Sequence, residues 1–173
     1  MILLIDATIE TVSRWAQVVG LPLLFVIFVS KGMLIGKIFP TSVFLPGYVL
    51  AIRASVTMAM IIAVVTAIGY IIGQCVVYIG TQRYGRSFVS QLPYATVDPE
   101  SPKFQQFDEW FLRYGGLSLF ATNFVPWLRG LLTIPAAASS YPTHWYLFHT
   151  TASTTVYHIL YVSIALGLLE LLM

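Results

Sequence analysis

Charge is what this sequence is short of. Charged residues make up 9% of it and hydrophobic ones 58%, whereas soluble domains carry roughly a quarter charged residues. The shortage excludes an ordinary soluble surface and sets the class as an integral membrane protein. A net charge of +2 is too small to argue for a nucleic-acid partner. There is one cysteine, Cys75, so an internal disulfide is excluded. It lies in an apolar run and reads as a small packing residue. Paired carboxylates in the apolar zone, a Ser-His-Asp pattern and a glycine-rich phosphate loop are all missing. Acid–base or covalent catalysis therefore has little to stand on, and an enzyme is not expected. His144, His149 and His158 share one stretch, but their spacing is poor for one metal and no Cys or acid joins them. No metal and no cofactor is expected. The opening "MILLIDATIETVSRW" lacks a basic start and contains Asp6 and Glu10, which argues against a cleaved signal peptide.

What is there is long apolar sequence. A membrane span needs about 20 apolar residues. Residues 54–80 carry no charge and form the clearest transmembrane helix. Residues 143–173 form the next, with a Thr and Ser cluster at 150–155 suited to helix packing in lipid. An apolar N-terminal helix is expected over 18–35. Residues 81–115 are polar, and within them "SPKFQQFDEWFLRYG" reads as an amphipathic helix with Ser101 as N-cap and Pro102 at its first position. That helix is expected to pack on its own protein or to lie in the membrane interface. Arg83 and Arg86, just after the first span, favour a cytoplasmic 81–116 loop, an inside N-terminus and an outside C-terminus.

Two apolar segments are broken. Residues 32–52 hold Lys37, Pro40, Pro46 and Gly47; residues 116–140 hold Asn123, Pro126, Arg129 and Pro135. An interior proline removes a helical hydrogen bond, and lipid offers no replacement. Both segments therefore read as re-entrant hairpins with tips at Pro46-Gly47 and Pro126. The stretches "VFLPGYVLAI" and "NFVPWLRGLL" share a Phe-x-Pro core, and each half runs from a broken segment to a long helix. Paired interrupted segments in corresponding positions point to a transporter's central site. The expected fold is an all-α integral membrane domain over 1–173, an inverted repeat of two re-entrant hairpins each followed by a transmembrane helix.

Acids are missing where cations are not. The seven acids are Asp6, Glu10, Asp98, Glu100, Asp108, Glu109 and Glu170, and none lies in a broken segment, yet Lys37, Arg53 and Arg129 lie in or beside them. A charge at the bilayer centre costs about 2.5–3.5 kcal/mol or more. Lys37 and Arg53 flank their segment and can snorkel. Arg129 sits three residues after Pro126, where a half-helix could open. Free N–H groups and a bidentate guanidinium there suit a phosphate or carboxylate. In a membrane the abundant phosphates belong to lipid headgroups.

Three stretches together resemble the DedA family, also described by the SNARE-associated Golgi or VTT domain. They are "FLPGYVLA", "GYIIGQCVVYIGTQRYG" and "FDEWFLRYGGLSLFATNFVPWLRGLLTIPAAAS". The resemblance covers roughly residues 20–170. It implies opposed re-entrant hairpins and lipid transport, either recycling of a polyprenyl-phosphate carrier or phospholipid scrambling. The departures concern charge. Gly36-Lys37 and Tyr48 stand where the family carries acids, Asn123 where it carries an Arg, and Ala137 where it carries a Gly. The resemblance ties those acids to proton coupling, so their loss speaks against it. The expectation is a multi-pass cell-membrane flippase or scramblase moving a phosphate-headed lipid without proton coupling. Arg129 would hold the phosphate, Asn123 and Tyr48 would hydrogen-bond it, and Lys37 and Arg53 would add positive charge. Homo-oligomerisation is left open. The alternative is a transport-inactive relative that serves as a membrane scaffold or assembly partner.

Overall fold

The computed structural model describes residues 20–35, 41–91, 102–125, 128–139 and 141–172, and every element among them is a helix. A first helix, α1 (Gly20–Gly32), precedes α2 (Thr41–Ala51), α3 (Val56–Tyr84), α4 (Arg86–Gln91), α5 (Pro102–Tyr114), α6 (Gly116–Thr122), α7 (Thr133–Ala138) and α8 (Thr143–Leu172). Two helices are long and apolar enough to cross a membrane, Val56–Tyr84 and Thr143–Leu168. At 1.5 Å per residue, the 29 residues of α3 reach about 43 Å, against a hydrocarbon core of about 30 Å.

α3 has two faces. Ile61, Val64, Ile68, Ile72, Val76 and Ile79 are exposed at three- and four-residue spacing, while Ala59, Ile62, Thr66, Tyr70, Gly73 and Val77 are buried. α8 repeats the pattern, with Val156, Leu160, Ile164 and Leu168 exposed and Ser153, Tyr157, Val162 and Ala165 buried. An apolar outer stripe of that length on both helices fits lipid rather than water. The inner faces meet each other, and α8 also packs against α2 and α6. Ser55 caps α3 by accepting from the Met58 amide at 3.3 Å.

The two broken segments fold differently from one another. Pro46 and Gly47, expected at a hairpin tip, lie inside the continuous helix α2. The proline forfeits one hydrogen bond, to the Ser42 carbonyl. Leu45 and Val49, one turn apart, are fully buried in the same cluster as Ile62, Val162 and Ala165, and that burial holds the helix through it. α1 and α2 instead end in paired turns of one design. Ile35 N donates to Ser30 O and Leu34 N to Lys31 O; Ala54 N donates to Val49 O and Arg53 N to Leu50 O. These are Schellman caps, with Leu34 (φ 63°) and Arg53 (φ 47°) in the left-handed position that glycine usually takes. The second broken segment does break: α6 and α7 flank turns at 123–125 and 128–132. Pro126 and Lys37 lie outside the described residues. So does the N-cap residue Ser101, while α5 begins at Pro102. In α5, Phe111 is buried against α6 and α7 residues and Trp110 is 45% exposed.

α1 and α3 touch backbone to backbone. A Cβ on Gly73 would fall 2.1 Å from Val29 O and 2.7 Å from Gly32 Cα; one on Gly32 would fall 2.2 Å from Tyr70 O. Gly69 and Gly73 form a small-xxx-small pair, the spacing that lets membrane helices approach. Substituting Gly73 by Ala must push two backbones apart. Gly73→Ala is expected to lower stability by about 1–3 kcal/mol, read as a fall in thermal unfolding midpoint in detergent. Gly47→Ala is the control: nothing lies within 4 Å of its Cβ position, and removing a mid-helix glycine should add about 0.5–1 kcal/mol. Equal midpoints for wild type and Gly73→Ala would contradict the close contact.

Candidate functional site

Arg129 is buried at 5% exposure in the turns between α6 and α7. The adjoining Gly130 has φ 79°, a left-handed conformation, and a Cβ there would come within 3.0 Å of the Tyr70 hydroxyl. The chain therefore turns sharply at Gly130, and Arg129 sits between α3 and α8. Its guanidinium carbon lies 3.9 Å from the ring centroid of Tyr70 on α3 and 3.9 Å from that of Tyr157 on α8. Nη2 donates to His158 Nε2 at 3.0 Å. His158 Nδ1 lies 3.0 Å from Thr66 Oγ1, and Thr66 Oγ1 donates to the Ile62 carbonyl at 2.6 Å. The Phe28 ring meets the imidazole at 5.2 Å and 80°, which brings α1 to the same place.

The energetics are unbalanced. Taking a charge out of water costs several kcal/mol after relaxation. Two desolvated cation–π contacts return about 2 kcal/mol each, and a charged hydrogen bond about 1.5–3 kcal/mol. Among the described residues, Arg129 Nε and Nη1 and the Tyr157 hydroxyl are buried without a partner in good hydrogen-bond geometry, although the Tyr157 hydroxyl lies close enough to Arg129 and Tyr161 to interact with both. Each orphaned polar group costs about 1–3 kcal/mol. The described acids whose side chains are placed, Glu109 and Glu170, are exposed. The site offers donors and positive charge, and what it lacks is an acceptor with negative charge.

The other residues singled out in the sequence are dispersed. Asn123 is 3% exposed, and its Nδ2 donates to Ser153 Oγ at 2.7 Å. It ties the end of α6 to α8, five residues before His158, about 7.5 Å along the helix. Tyr48 packs its hydroxyl end against Gly20 of α1. Arg53 is exposed at the end of α2. Neither is among the described contacts of Arg129. Sequence reasoning missed Lys31 and His158. Lys31 is 8% exposed, its Nζ lies 5.9 Å from the Phe28 centroid, and it is within electrostatic reach of Arg129. The signal was in the sequence: Lys31 directly follows an apolar run that ends at Ser30.

The sequence profile of the VTT domain matches residues 45–166. The chain belongs to the VTT domain family. That is the domain shared by DedA and SNARE-associated proteins, and with its two candidate spans this VTT domain is a membrane protein. Two alkaline phosphatase-like proteins of Lactococcus lactis, from subsp. cremoris strain MG1363 and subsp. lactis strain IL1403, are each 31% identical over 61 residues. The match takes in 35% of this chain and 28% of each of those proteins. No solved structure matches. The profile takes in α2 from Leu45 onward, α3, the Arg129 turns and most of α8, so the box formed by Tyr70, Arg129, Tyr157 and His158 lies within the VTT domain, whereas Phe28 and Lys31 precede it.

The box makes a quantitative demand on Tyr70. Tyr70→Phe keeps the π face and should change stability by less than about 1 kcal/mol, whereas Tyr70→Leu should lose about 2 kcal/mol or more. Part of that second loss is a cavity. A double-mutant cycle with Arg129→Met removes the cavity contribution and should leave about 1–2 kcal/mol of coupling. Zero coupling in denaturation of the four proteins would contradict the stacking.

Proposed function

We propose that this VTT domain protein is a multi-pass cell-membrane protein that moves a phosphate-headed lipid, a polyprenyl phosphate or a phospholipid, with Arg129 holding the headgroup. The observation that carries this reading is a buried guanidinium with two donors unpartnered among the described residues. A phosphate supplies both the charge and the lone pairs the site lacks; to meet the guanidinium bidentately it would take Nη2, now held by His158, together with the unpartnered Nε or Nη1. Room for a hydrocarbon chain lies nearby. An open groove of about 570 Å³ lies beside α5 and α6, lined by Trp110, Tyr114, Leu117, Ala121, Val125 and Leu128. The Ser118 and Thr122 hydroxyls on its wall are turned back to the Gly115 and Ser118 carbonyls, so its surface is apolar. The broken α6–α7 stretch fits a re-entrant hairpin, and an opposed counterpart would be built around α2.

Movement would be downhill, since Tyr48 and the Gly36-Lys37 pair replace the acids that the family resemblance ties to proton coupling. An enzyme is disfavoured by the site itself. His158 Nε2 is taken by Arg129 and its Nδ1 faces Thr66. The ring proton must then lie on Nδ1, and the imidazole cannot serve Thr66 as a base. One observation favours a scaffold instead: two rings and an imidazole already close around Arg129, with its orphaned atoms sealed from solvent.

Lipid movement in proteoliposomes separates these readings. Wild type should flip a fluorescent polyprenyl phosphate or phospholipid, and Arg129→Ala should reduce the rate by about tenfold or more, the loss of one charged hydrogen-bond set. Arg129→Lys should not restore it, because an ammonium cannot stack as a plane between two rings. Folded wild-type protein that moves neither lipid would overturn the transporter reading for these lipids and favour the scaffold.

A further inference from the structure

The protonation state of His158 follows from its two neighbours. A guanidinium has no acceptor, so the 3.0 Å contact with Arg129 Nη2 requires a lone pair on His158 Nε2. The ring proton is then on Nδ1, which donates to Thr66 Oγ1, and the Thr66 hydroxyl proton goes on to the Ile62 carbonyl. The imidazole is neutral, and it stands where a ligand's oxygen would stand on the Arg129 fork. A second proton can go only to Nε2, the atom that faces the guanidinium. It converts the acceptor into a donor and sets two cations against each other in a buried site. The ring and the fork must then part, unless an anion lies between them.

We propose that His158 is a proton-operated latch on Arg129. Neutral, it occupies the fork; protonated, it releases the fork and joins Arg129 in holding a phosphate-type anion. The proposal rests on Arg129 being an anion site. The proton and the anion enter together, so anion affinity rises as pH falls, and by linkage each strengthens the other's binding. The neighbourhood adds nothing that reverses the sign. Arg129 and Lys31 on α1 are the cations within electrostatic reach of the ring. Tyr70 on α3 and Tyr157 on α8 face the ring, Tyr161 packs behind Tyr157, and all three are phenols rather than carboxylates. Of the other helices packed on α8, α2 carries one titratable side chain, Tyr48, and α6 carries none. The latch sets occupancy; it leaves the direction of lipid movement to the lipid gradient.

Sulfate is the probe, because its charge is constant across the imidazole range, about pH 5 to 8. Its affinity for the full chain in a neutral detergent should fall with rising pH, by up to about tenfold per pH unit for one linked proton. His158→Gln keeps an acceptor for Arg129 but cannot take the proton, so its affinity should be flat with pH. Sulfate binding to wild type that does not vary with pH overturns the latch and leaves the anion site standing. The same slope in His158→Gln also overturns it. No sulfate binding at any pH removes the anion site and the latch with it. A second measurement needs no variant: imidazole ¹⁵N shifts should show the neutral Nδ1–H tautomer at high pH without sulfate and a doubly protonated ring at low pH with it. An Nε2–H tautomer, or a neutral ring beside bound sulfate at low pH, contradicts the proposal.

Discussion

A guanidinium cannot lose its charge inside a protein, so whatever surrounds Arg129 must meet a full positive charge. Much of the described structure around it serves that constraint. α3 delivers the Tyr70 ring, α8 delivers the Tyr157 ring and the His158 lone pair, and α1 closes the far side through Phe28. The family resemblance leads one to expect carboxylates near such an arginine. Here π faces and a neutral imidazole take part of that duty, and they take it incompletely. They supply attraction without the lone pairs that would satisfy Nε and Nη1. On the proposed reading, that shortfall is what a lipid phosphate would fill.

The box depends in turn on how closely α1 and α3 approach. Tyr70 lies between Gly69 and Gly73, and the bare backbone at Gly73 and Gly32 lets the two helices touch. Any side chain there would move α3, and Tyr70 with it, relative to Arg129. The same crossing seats Lys31 near the site. Asn123 acts at the other end, pinning the α6 terminus to Ser153, so that the turns holding Arg129 enter α8 at a fixed height. Packing by small residues and one buried amide thus sets the geometry in which the electrostatics operate.

The membrane class and an Arg129 far from any acid were legible from counting few charges, long apolar runs and cations without acids, and the family was legible through the three stretches that resemble it. The neighbours of Arg129 were not. Tyr70, Tyr157 and His158 lie far along the chain, and α3 and α8 are apolar on every side, so periodicity does not announce which face turns inward. His158 was set aside on metal-ligand spacing. Its place beside Arg129 follows instead from its lone pair, a neutral acceptor for a cation that has no acid nearby. Lys31 escaped because it falls inside the expected 18–35 helix, one residue before the first broken segment whose cations were weighed. Pro46 misled in the opposite direction: a proline inside an apolar segment reads as a break, yet one missing hydrogen bond is outweighed by burying Leu45 and Val49 against α3 and α8. Such tertiary overrides leave no local trace.

The central claim is that the orphaned donors of Arg129 face a lipid phosphate. The most direct measurement is solid-state NMR of the protein in bilayers with a polyprenyl phosphate, reading dipolar coupling between the guanidinium ¹⁵N nuclei of Arg129 and the lipid ³¹P. The account predicts coupling from Nε and Nη1, with the Nη2 contact to His158 weakened when the lipid is bound. A saturating lipid concentration that yields no coupling, with the His158 contact intact, would show Arg129 to be a packing residue and would contradict the account.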